Sequence, residues 1–141
     1  MTVRSLLVVA AALGMIGTAV PLRAHHAFAA EYDSQKPITF TGTVTKVEWL
    51  NPHARIYVDV KDENGKVVNW DCELGPPNGL MRRGWRRDSL KPGHIVTVSG
   101  FRSKLSPVGA NARTVKLPDG RQVFAGSSFD TGTPQEDAAA K

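Results

Sequence analysis

From Arg55 to Leu74 the chain reads RIYVDVKDENGKVVNWDCEL, and few local structures satisfy that string. Apolar and polar residues alternate on both sides of a polar turn. Ile56, Val58 and Val60 share one face of the first run, and Val68, Trp70, Cys72 and Leu74 share one face of the second. A period of two belongs to half-buried strands. Asn64-Gly65 suits the positive φ of a tight hairpin turn, so the two runs are predicted to be antiparallel neighbours.

The flanking segments extend the pattern. Upstream, ITFTGTVTKVEWL (residues 38–50) is rich in β-branched and aromatic residues. Its apolar alternation runs through Ile38, Phe40, Gly42 and Val44, then changes parity at Val47 and Trp49. Gly42 and the parity change predict a coil or bulge in a long curved strand. Asn51-Pro52 then breaks the run. Downstream, GPPNGLMRRGWRRDSL has a Pro-Pro-Asn helix start. At 100° per residue, Leu80, Met81, Gly84 and Trp85 lie on one helical side and Arg82, Arg83, Arg86 and Arg87 on the other. A fourth strand over residues 95–101 follows the KPG turn. SKLSPVGAN reads as a loop, and ARTVKL and QVFAG form a final strand pair around PDGR. Three strands, a helix and two strands, with one strand more at the end, predict a mainly β fold. The order is that of a small OB-like Greek-key barrel, with one short helix between strands 3 and 4 plugging an end. A different small barrel or a sandwich is the alternative.

Residues 1–24 have the three parts of a secretory signal: Arg4, an uncharged apolar run over residues 6–20, and a small residue ending LRA. The run falls short of the roughly 20 residues a spanning helix needs, so no stable membrane span is expected after processing. The chain divides into a signal (1–24), an extended N-terminal segment (25–36), the barrel (37–127) and a disordered tail (128–141). Export through the general secretory route to the bacterial periplasm is expected. Processing removes Arg4 and Arg23 and no acid, which lowers the net charge from +5 to +3. So mild a balance, outside the cell membrane, argues against a nucleic-acid partner. Cys72 is the only cysteine, so no internal disulfide forms.

The strings AHHAFAAEYD, GTVTKVEWLNPHA, NWDCELGPPN, RRGWRRDSLKPG and ANARTVKLPDGR occur in that order. Together they resemble a family of small exported bacterial proteins catalogued only as a domain of unknown function. The resemblance covers nearly all of the chain after the signal. It implies an Ala-His-His start and an Asn-Pro-His turn, matched here by His25, His26 and His53. It also implies an aromatic or apolar residue near Arg55 and Cys72 and an acid near His94, from which this chain departs. No activity comes with the resemblance.

The chemistry these residues can carry centres on histidine. If cleavage follows Ala24, the α-amine and imidazole of His25 can chelate one metal ion at neutral pH. Such nitrogen donors favour copper, here as Cu(II). His26 adds a second imidazole, and His53, between strands 1 and 2, is the candidate third ligand. Cleavage after Ala29 would remove both N-terminal histidines. The expected function is a periplasmic non-enzymatic binding protein holding Cu(II) or another divalent metal through His25, His26 and His53. The alternative is an interaction module that holds a protein partner or small anion at the barrel mouth and at Arg82, Arg83, Arg86 and Arg87, without metal. Plainer roles are a turn cap for His53, a core thiol for Cys72 and a solvated face for the arginines. Glu48, Asp71 and Glu73 show no spacing for acid–base work. No nucleophile elbow, phosphate-cradling glycine loop or HExxH motif occurs, so an enzyme is not expected.

Overall fold

The structure is a computed structural model that describes residues 28–126. The signal segment, His25, His26 and the 128–141 tail lie outside the described residues. A single helical turn, α1 (residues 28–31), leads into β1 (Tyr32–Glu48). β2 (Arg55–Lys61) and β3 (Val67–Glu73) follow, then α2 (Pro77–Arg82), β4 (Ile95–Ser103), β5 (Gly109–Lys116) and β6 (Gln122–Phe124).

The hairpin register follows from its turn. Asp62 Oδ1 accepts from the Asn64 and Lys66 amides, and Gly65 has φ +80°. Lys61 therefore faces Val67, and counting back places Arg55 opposite Glu73. β1 pairs with β2 through its second half and with β4 along most of its length. Its parity change is a register shift between Val44 and Lys46, where the sequence pattern put it. β3 and β5 then pair in parallel, Asp71 with Gly109 through Glu73 with Asn111. Five strands thus close into a ring in the order β1-β2-β3-β5-β4, and β6 extends β5. The fold is mainly β and OB-like.

Inward-facing Val44, Ile56, Val58, Cys72, Val96, Val98 and Val115 form the core. Leu80 and Trp85 join it from the connection between β3 and β4 and cover one end. Trp85 also donates Nε1–H to the Phe124 carbonyl at 2.9 Å.

Three local expectations are corrected. The first concerns the start of the first strand, which the sequence pattern put after Pro37, downstream of an extended segment (25–36). α1 forms there and β1 begins at Tyr32, five residues before the expected barrel boundary. Its register with β4 shifts between Asp33 and Pro37, with Tyr32 and Asp33 opposite Ser103 and Arg102 and Pro37 opposite Phe101. Second, α2 is six residues long rather than running through Arg87. Gly84, at φ +91°, turns the chain out of the helix. Met81 is consequently exposed, not part of the apolar side. Third, β5 starts within the expected loop, at Gly109, because its first residues close the ring against β3.

Candidate functional site

The pleat of β2 and β3 sends Arg55, Asp71 and Glu73 to the outer face, opposite the core. Arg55 grips Asp71 with two parallel hydrogen bonds, Nε to Oδ1 at 2.8 Å and Nη2 to Oδ2 at 3.1 Å. Its Nη1 reaches Glu73 Oε2 at 3.4 Å. The pairing with Asp71 holds the Arg55 guanidinium in its charged form. Glu73 is the centre of the cluster. Burial raises its carboxyl above the usual range, against the opposing pull of His53, Arg55 and the Tyr32 hydroxyl, which hydrogen-bonds it. The same burial and the Glu73 charge push the Tyr32 phenol upward.

His53 stands just before β2, after a cis Asn51–Pro52 bond, and its Nδ1 lies 3.3 Å from Glu73 Oε1. Ala54 is tied across to the end of β3 by paired backbone bonds with Gly75 and Leu74, which fixes the imidazole over Glu73. The carboxylate favours the tautomer with its proton on Nδ1, leaving the Nε2 lone pair for another partner.

The N-terminal segment comes to the same place. Tyr32 is buried, and Phe28 packs on Tyr32 and edge-on to Phe101, with ring centroids 5.4 and 6.0 Å apart. Lys104 holds the segment from the β4 side, donating its amide to the Glu31 carbonyl and its Nζ to the Ala29 carbonyl at 2.8 and 2.6 Å.

Of the residues singled out from sequence, His53 joins this cluster. His25 and His26 lie just before the described residues. Among the described residues no three of His, Cys, Asp and Glu are grouped to hold a metal ion. The arginines do not share one helical face. Arg83 packs 4.2 Å from the Phe124 ring centroid and donates to the Gly126 carbonyl, whereas Arg86 and Arg87 follow the turn beyond the helix. Cys72 is a core thiol, fully buried. Sequence reasoning missed Tyr32 and Arg55. The signal for Arg55 was present in the Asn64-Gly65 turn, which fixes the register that faces it toward Glu73.

A second feature lies at the other end of the ring, which no helix among the described residues covers. There the inward positions of four strands surface as a groove of about 620 Å³ lined by Ile38, Phe40, Val60, Val68, Trp70 and Arg102. It is separate from both His53 and the arginines of residues 82–87. Among the described residues no helix is long and apolar enough to cross a membrane.

No curated protein matches the chain. A family model does, over residues 12–111, and its description is a family of unknown function, DUF6152. The match spans most of the ring as well as the His53 turn, and on that ground the chain belongs to the DUF6152 family.

Proposed function

We propose that this protein is an exported, non-enzymatic binding protein for a divalent metal, Cu(II) by preference. The ion is held by the α-amine and imidazole of His25, with His26 and His53 completing the donor set. The observation that carries the reading is the Glu73 carboxylate, which meets His53 Nδ1 on one side and the Tyr32 hydroxyl on the other. Histidines that ligate metals commonly give their second ring nitrogen to a carboxylate, which fixes tautomer and ring orientation. Here that carboxylate also anchors the segment that follows His25 and His26. From Phe28 back to His25 is three residues, a reach of up to about 10 Å in extended chain.

Mass analysis of the exported protein is expected to show a chain beginning at His25. Titration of that processed form with Cu(II) is expected to give one tight site, lost in the His25→Ala, His53→Ala double variant. Unchanged affinity in the double variant, or a mature chain starting at Ala30, refutes the proposal. Glu73→Gln keeps every proposed ligand but removes the charge that orients His53, and a loss of about tenfold in affinity is expected.

A further inference from the structure

The uncovered end of the ring calls for a separate explanation, independent of metal. At the covered end, Leu80 and Trp85 close over the core. At the other end Ile38, Phe40, Val60, Val68 and Trp70 hold inward positions on their strands but remain only partly buried. Phe40 and Trp70 lie with ring centroids 4.8 Å apart and planes inclined by 32°. Together they make a broad aromatic floor. Val108 and Pro107, from the β4–β5 connection, form the opposite wall.

One cation stands over this floor. Arg102 places its guanidinium carbon 5.2 Å from the Trp70 ring centroid. Its Nη2 donates to the Pro107 carbonyl at 3.1 Å, which steadies the group across the rim. A guanidinium has five N–H donors in a planar fork suited to a carboxylate. The one acid lining the groove, Asp62, turns Oδ1 to the amides of its own hairpin at 2.9 and 2.8 Å. The groove thus offers an apolar aromatic floor, one available cation and a volume within the usual range for small ligands. We propose that it binds a small aryl carboxylate, with the ring on Phe40 and Trp70 and the carboxylate on Arg102.

The test is an NMR titration of the full chain with 3-phenylpropanoate, its uncharged amide and acetate. The acid is expected to shift the Trp70 indole and the Phe40 and Arg102 amides, and to bind about tenfold more tightly than the amide, the contribution of one charge-assisted contact at a solvated rim. Arg102→Gln, at an exposed position, is expected to equalise acid and amide. Phe40→Ala is expected to weaken both. Absence of shifts at the groove overturns the proposal. So does equal binding of acid and amide by the unaltered protein, or an acid preference that survives Arg102→Gln. Acetate binding as tightly as the aryl acid at the same residues would show a bare anion site and refute it too.

Discussion

On β3 the pleat turns Cys72 inward and Glu73 outward, so two chain neighbours have opposite chemistry. Burial pushes the Cys72 thiol up to about 12 from 9.0. At neutral pH it is therefore a neutral packing group and neither a nucleophile nor a soft-metal ligand. The consequence for stability has a definite sign. An unfolded chain releases this proton near 9 while the folded chain keeps it, so the contribution is complete below pH 9 and is lost as pH rises toward 12. Between about pH 8 and about pH 10.5 the protein should lose about 2 kcal/mol more stability than Cys72→Ala, by denaturant unfolding of both at each pH. Equal losses would show that the thiol ionises freely in the fold. At this scale the inward role of Cys72 was legible from strand parity with Trp70 and Leu74. The Glu73 cluster was not, because Tyr32 reaches it from 41 positions away through the pairing of β1, β4 and β5.

The elements were legible wherever their signal was local. The hairpin of β2 and β3 announced itself by alternation and turn chemistry. The bend of β1 did so by Gly42 and a parity change. At Gly42 a side chain would press on Val58 Cγ1 at 2.8 Å and on the backbone of Asp59. Since neither the paired strand nor a packed valine can withdraw, Gly42→Ala should destabilise by about 3 kcal/mol. Gly84 is the contrasting case. It has φ +91° but open space around its Cβ position, so Gly84→Ala should cost only about 1 kcal/mol of backbone strain. Thermal unfolding of the two variants tests the ranking, and a larger loss at Gly84 would contradict it. The length of α2 escaped sequence reasoning because periodicity continues past Gly84. Trp85 is buried as a helix would bury it, but by a hydrogen bond to the Phe124 carbonyl on the strand that extends the sheet. β5 escaped for a related reason: Gly109 pairs with Asp71 only once the ring closes.

Closure of the ring sets the two candidate sites apart. The His53–Glu73 cluster lies where β3 ends, on the outer face, and the aromatic groove lies where β3 begins, on the inner one. From Trp70 to Glu73 the strand advances three residues, about 10 Å at about 3.3 Å each, and an odd separation sends the two side chains to opposite faces. Between them stands a packed core containing Val58 and Cys72, with no charged group to relay a change from one end to the other. The sites adjoin through backbone, where the Asp71 amide donates to the Val108 carbonyl and Tyr32 pairs opposite Ser103, but their side chains point to opposite faces, and groups so separated act additively to within about 0.5 kcal/mol. The two binding functions should therefore be thermodynamically independent. Variants give a cleaner measure than mixed ligands, since a free carboxylate itself takes up Cu(II). His53→Ala should leave the affinity for 3-phenylpropanoate within about twofold of the unaltered protein, and Arg102→Gln should leave the Cu(II) affinity within about twofold. A larger effect in both directions would mean that the ring has two arrangements which both ligands bias. An effect in one direction only would place part of the altered site at the opposite end of the barrel.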